Sequence, residues 1–254
     1  MDMETAASLI PIDRAESVAG KVYQQLRNGL VQGRLIPGER LVHRFLASKL
    51  GVSPTPVREA LLRLVSEGAL ELDARGIAWV PRLAVERYDE IIDLRLELEG
   101  RAAARAAALA TPADIADLAA IQAKFLKGRA VMNREVVLAE NERFHFRVIG
   151  IAAMPVLQRV VENLWVQVGP TISLLFSAPR VLSPEGHAHD ALIAALRARD
   201  AEAASAAIKR DLREHAAVLS PMLARAAEPG ADARAQETHA QETRAQVKRP
   251  RVSS

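Results

Sequence analysis

Four side chains in the second half of the sequence have the types and spacing of a metal site. Asn141 and His145 are four residues apart, His189 follows 44 residues later, and Asp211 a further 22. A separation of four puts the first two on one face of a helix. Single residues from two other helices can then close a cage around a divalent cation, and this mix of oxygen and imidazole donors suits zinc, manganese or nickel. With neutral Asn141 and an ionised Asp211 the set carries one negative charge. His215, one helical turn beyond Asp211, is the alternative ligand if the register differs, whereas His187 is expected to point elsewhere. The competing reading is a cluster of hydrogen-bonded polar groups in a water-filled cavity, with no ion.

The same residues argue against catalysis. Glu142 and His145 form one Glu-x-x-His pair, but carboxylate-bridged two-metal bundles need a second. Neither Glu185 to His187 nor Asp211 to His215 has that spacing. No Ser-His-Asp set or glycine-rich phosphate loop is evident, so the chain reads as a binding protein and not an enzyme.

Helices must hold these residues, and residues 85 to about 226 are helical in pattern throughout, rich in Ala and Leu. Breaks fall at Thr111–Pro112, Gly150 to Pro155, Gly169–Pro170, Pro179 to Pro184 and Ala198 to Asp200, which gives six or seven helices. In the first, Tyr88, Ile91, Ile92, Leu96 and Glu99 lie close to one stripe that Leu94 and Leu98 broaden. A stripe that broad implies burial in a bundle.

Upstream, LVHRFLASKLGVSPTPVREALLRL at 41–64 describes two short amphipathic helices joined by a tight turn. Leu41, Phe45, Leu46 and Leu50 recur at helical spacing, and Gly51 follows where a left-handed residue would end the helix. Ser53 or Thr55 can cap the next helix, which is expected to begin near Pro56. Val57, Ala60, Leu61 and Leu64 make one face apolar and leave Thr55, Arg58 and Leu62 on the other. Helix-turn-helix units set the start of the second helix against base edges, where arginine can grip guanine with two hydrogen bonds. Arg58 is the candidate for that contact. From Arg14 to Leu64 nine cations face three anions, whereas the whole chain carries +3. This excess suits phosphate binding. After Gly68, Ala69 to Leu72 and Ile77 to Val80 look like two short strands around Asp73 to Gly76, a wing.

The segments VYQQLRNGLVQGRLIPGERL, LGVSPTPVREAL and LVSEGAL, with the wing, resemble the winged-helix domain of GntR-type bacterial repressors over about residues 18 to 81. The resemblance implies DNA contacts by Arg44, Thr55, Arg58 and Gly76. The position before Thr55, commonly a DNA-contacting arginine in that family, is Pro54 here. DLRLELEG at 93–100, NERFHFRV at 141–148 and AHDALIAALRARDAEAASAAIKRDL at 188–212 resemble the FCD domain, the ligand-sensing bundle of the FadR branch. Many such domains hold a metal through Asp or Asn, a His four later and two further His, and the cation helps bind a carboxylate effector. Here Asp211 stands where the last His is expected. Arg95 occupies the position of an arginine common in the family and would reach the effector's second end; the alternative is an Arg95–Glu99 pair at i, i+4.

The expected protein is mainly α, with a flexible N-terminus at 1–13, a winged helix-turn-helix at 14–82, an antiparallel effector-binding and dimerisation bundle at 83–227, and a disordered tail at 228–254. The tail contains the imperfect repeat AQETHAQETRAQ and almost no large apolar residue. Two-fold related recognition helices imply a homodimer on double-stranded, pseudo-palindromic operator DNA. A small organic acid would release or modulate it, with repression as the default. The chain has no cysteine, no basic segment before an apolar run at its start, and no continuous apolar window of about 20 residues. A cytoplasmic location with no membrane partner is therefore expected. A helical adaptor whose winged helix binds protein is disfavoured by the basic excess and by Arg58.

Overall fold

The computed structural model describes residues 17–177 and 186–227. The expected break at Pro179 to Pro184, the N-terminal segment and the tail lie outside the described residues. The chain opens with α1 (Val18–Val31), which Ser17 caps by accepting from the Gly20 N–H at 3.0 Å. Then come β1 (Arg40–Leu41), α2 (His43–Leu50), α3 (Pro54–Ser66), β2 (Glu71–Leu72) and β3 (Ala78–Trp79). The three strands form an antiparallel sheet in the order β1-β3-β2, with Trp79 opposite both Arg40 and Glu71. The wing turn is built by Asp73, whose Oδ1 accepts from the N–H groups of Arg75 and Ile77, both at 2.9 Å. Gly76 closes it at φ +75°, a conformation that glycine adopts without strain.

Helix α2 ends at Gly51 with φ 66°, as its sequence implies. Helix α3 begins at Pro54, two residues before the expected Pro56, so both prolines sit in its first turn, where a missing N–H costs least. Its apolar stripe of Val57, Ala60, Leu61 and Leu64 is buried. Phe45 departs from expectation: it is 59% exposed, with Lys49 Nζ 5.1 Å from its ring centroid. Helical spacing places it on the stripe, but nothing in α1 or α3 covers the end of α2 on which it stands. The strands are two residues each, shorter than the alternating segments suggest.

The bundle contains α4 (Val85–Leu109), α5 (Pro112–Ala130), α6 (Arg134–Ile151), α7 (Pro155–Ile172), a 3-10 turn (Ser173–Ser177), α8 (Ala188–Ala198) and α9 (Ala201–Ala226). Six α-helices among the described residues agree with the sequence pattern. Helix α4 is about 37 Å long at 1.5 Å per residue, and lies along α9. In their contact Gly100 faces Ser205 and Lys209, Lys209 donates to Glu97 at 2.9 Å and Ser220 donates to Asp89 at 2.6 Å. Helix α5 starts with a capping box, in which Thr111 and Asp114 satisfy each other's free N–H groups.

The winged helix rests on α6 and α7. Asn163 donates to the Glu67 carbonyl at 3.2 Å, and Arg87 donates to the Gly68 carbonyl and to Gln167 at 2.9 Å each. Helix α6 is used on two sides: Asn141 and His145 face the bundle interior, while Glu142 meets Arg27 of α1 at 3.5 Å and the Arg27 guanidinium lies 5.9 Å from the Phe146 ring centroid. Helix α7 packs against the end of α1 at Gly169. A Cβ there would stand 2.6 Å from the Val31 Cα and 2.9 Å from the Leu30 carbonyl oxygen, both backbone atoms that cannot rotate away. Gly169→Ala is accordingly expected to lower stability by about 1–3 kcal/mol through overpacking. Gly150→Ala, on an open face of α6 where a Cβ meets nothing within 4 Å, should gain up to about 1 kcal/mol from helix propensity. Urea midpoints of the two variants measure the contrast, and equal midpoints would show that α7 does not press on α1.

Candidate functional site

Helices α6, α8 and α9 bring His145, His189 and Asp211 together in the bundle interior, with one ligand atom from each within 4.8 Å of the others. All three are buried, and no ordinary ion pair at a surface is so enclosed. His145 Nε2 lies 3.2 Å from Asp211 Oδ2, His189 Nε2 lies 3.6 Å from Asp211 Oδ1, and His215 Nδ1 stands 3.6 Å from Asp211 Oδ2. Asp211 is thus the centre of the group, and His215, 26% exposed, approaches it from the rim. Asn141 precedes His145 by one turn on the same face; it is buried and its Oδ1 has no hydrogen-bond partner. His187 instead caps α8, accepting from the His189 N–H at 3.2 Å.

Each imidazole is oriented through its other nitrogen. His145 Nδ1 donates to Glu99 Oε2 at 2.6 Å, and His189 Nδ1 donates to Gln122 Oε1 at 2.9 Å while its ring stacks on Phe144 at 3.8 Å. The second arrangement leaves His189 Nε2 as a buried lone pair without a donor, directed at a carboxylate. Two acceptors facing each other across 3.6 Å repel unless a proton or cation lies between them. The donor set therefore fits a divalent cation: two imidazole nitrogens, a carboxylate and an orphaned amide oxygen one turn away.

The electrostatics follow from burial set against neighbours. Burial pushes the Glu99 carboxyl up, but the charges of Arg95 and His145 outweigh it and bring it down to about 2. Burial lowers the His145 imidazole, yet the flanking carboxylates of Glu99 and Asp211 carry it up to about 9. His189 is held well below the ordinary histidine range by burial, which with the neighbouring imidazoles outweighs the upward pull of the Asp211 carboxylate. Burial acts upward on Asp211, and the imidazoles of His215, His189 and His145 more than reverse it. In this arrangement Arg95 stands against Glu99, and His145 stands between the Glu99 and Asp211 carboxylates.

Of the two readings of Arg95, the geometry shows the pair. Its Nε donates to Glu99 Oε1 at 2.7 Å, and its guanidinium lies 4.2 Å from the Trp165 ring centroid, with the side chain 2% exposed. Glu99, Gln122 and Trp165 escape a reading based on ligand spacing. The i, i+4 relation of Arg95 to Glu99 was the one available signal, and it names the pair without its target.

On the winged helix, Arg44 on α2, Thr55 and Arg58 on α3, and Gly76 in the wing are all exposed. Neither Arg44 nor Arg58 forms an ion pair with another described residue. With proline at 54 and 56, the first turn of α3 offers few backbone N–H donors and presents mainly side chains to solvent.

Comparison with known proteins agrees with both halves. The model for gntR-family bacterial regulatory proteins matches residues 18–78, and the FCD domain model matches residues 90–214. The chain is 35% identical over 205 residues to the HTH-type transcriptional regulator McbR of Escherichia coli K12, which covers 80% of this chain and 93% of that protein. It is 30% identical over 223 residues to the probable D-xylose utilization operon transcriptional repressor of Paenarthrobacter nicotinovorans, covering 87% and 94%. The solved structure of E. coli McbR superposes with a TM-score of 0.76 at 34% identity, over 81% of this chain and 98% of that one. No described helix is long and apolar enough to cross a membrane. A winged helix-turn-helix, an FCD bundle and a relative of this similarity over nearly its whole length place the chain in the GntR family of bacterial transcriptional regulators, DNA-binding proteins and not enzymes.

Proposed function

We propose that the protein is a repressor of the FadR branch that binds a pseudo-palindromic operator as a homodimer and is released or modulated by a small carboxylate held at a divalent cation in the bundle. The observation that carries this reading is the buried convergence of His145 and His189 on Asp211, with the Asn141 amide oxygen unpartnered beside them. In this reading Arg44, Thr55, Arg58 and Gly76 meet the operator, and Asn141, His145, His189 and Asp211 hold zinc, manganese or nickel. The cation, when bound, supplies positive charge and coordination positions that a carboxylate can fill. Asp211 balances part of that charge, and the neutral His189 presents its Nε2 without first losing a proton. An effector contact by Arg95 would require its pairing with Glu99 to open. A location in the cytoplasm belongs to the same reading, since the operator is there.

Coupling needs different effector affinity in two arrangements of the winged helices. The segment 81–86 and the surface of α7 against α1 are where those arrangements would differ. Binding to DNA upstream of the protein's own gene, at about 0.15 M salt against an unrelated duplex, is measured with a panel of small carboxylic acids, before and after chelation. One acid should change operator affinity by about 5- to 150-fold, and chelation should abolish that change. A response that survives chelation would remove the metal from the reading. Binding no tighter than to the unrelated duplex would remove that operator.

A further inference from the structure

We propose that Glu99 is the positioning residue of the candidate metal site, holding His145 so that its Nε2 is aimed at the place a cation would occupy. The inference rests on the metal reading above. It gives a task to a pair that would otherwise be only a buried ion pair within α4.

The geometry carries it. Glu99 is 2% exposed, and its two oxygens are divided between tasks. Oε1 accepts from Arg95 Nε at 2.7 Å and from Trp165 Nε1 at 3.0 Å, while Oε2 accepts from His145 Nδ1 at 2.6 Å. The first two bonds come from α4 itself and from α7, so the carboxylate is fixed from two directions before it meets the imidazole on α6. Trp165 is held in turn, with the Arg95 guanidinium over its ring and the His145 ring edge-on at 5.1 Å. A carboxylate so restrained imposes one ring orientation and one tautomer on its histidine, with Nδ1 protonated and Nε2 directed inward, and it raises the basicity of the metal-binding nitrogen.

His189 is the internal contrast. Its orienting partner is the neutral Gln122, at 2.9 Å, so its ring is aimed without a charge behind it. The two histidines thus differ in what holds them although their residue type is the same: a carboxylate behind His145 and an amide behind His189. Arg95 belongs to this support because it keeps Glu99 in place and balances its charge in the dry interior.

The full-length protein is titrated with zinc by calorimetry and with cobalt(II) by visible absorption, for the wild type, Glu99→Gln and the double variant Arg95→Met/Glu99→Gln. The double variant leaves no unpaired guanidinium, so it serves if the single variant does not fold. Zinc affinity should fall by about 10- to 100-fold, as it does when an orienting partner is lost, with the stoichiometry unchanged and the cobalt ligand-field bands shifted. A purely structural role for Glu99 would lower stability and leave those bands where they are. Folded variants that bind zinc with wild-type affinity and give the wild-type cobalt spectrum overturn the proposal. A wild type that takes up neither metal overturns the metal reading itself, and the proposal with it.

Discussion

Alanine at position 58 is expected to weaken specific operator binding by about 30- to 25,000-fold and to leave the unfolding free energy within about 0.5 kcal/mol of the wild type. A two-pronged arginine contact to guanine contributes roughly 1–3 kcal/mol of discrimination. In a dimer on two half-sites it is lost twice, and the two losses add approximately when the sites are well separated. The small stability effect follows from exposure: Arg58 stands on the outer face of α3, with no described ion pair to break. Arg58→Lys should recover little, because an ammonium cannot reproduce the planar fork. Fluorescence anisotropy with operator and unrelated duplexes separates the outcomes. Equal weakening on both would mean that Arg58 touches phosphate and that the base reading lies elsewhere on α3.

The second large effect is expected in the interior. Trp165 is 1% exposed, among the largest fully buried side chains, and its indole N–H ends on Glu99. Trp165→Ala should cost about 3–5 kcal/mol, the range for deleting a large aromatic from a core. Trp165→Phe keeps much of the volume but leaves Glu99 one donor short, which should cost roughly 1–3 kcal/mol. Urea unfolding followed by circular dichroism gives both numbers, provided the slope with denaturant is unchanged. A loss below about 1 kcal/mol for the alanine variant would mean that the site around Glu99 is not packed as described.

Much of the fold was legible in the residues because its signals are local. Gly51 at φ 66°, the buried stripe of α3 and the breaks between bundle helices are set by side chains within one or two turns of each other. The meeting of His145, His189 and Asp211 was signalled by the i, i+4 relation of Asn141 to His145 and by the resemblance to the FCD pattern, and the three side chains do converge. Phe45 was not: periodicity says which residues share a face, and only tertiary packing says whether anything covers that face. The orienting partners escaped for a related reason. Glu99 and His145 are 46 positions apart, and His189 and Gln122 are 67 apart, with no spacing rule between their types. Arg95 falls between these cases: its spacing names the local pair with Glu99, which is present, but not the contact with Trp165.

Helix α6 has a mechanical consequence. Asn141 and Glu142 are consecutive, one turned inward beside His145 and the other onto Arg27 of the winged helix. Successive residues of an α-helix are separated by about 100° around its axis, so a turn of α6 about that axis would carry Asn141 and Glu142 through the same angle. The contacts of α6 with the interior of the bundle and with the base of the winged helix are thus one peptide unit apart on a single helix.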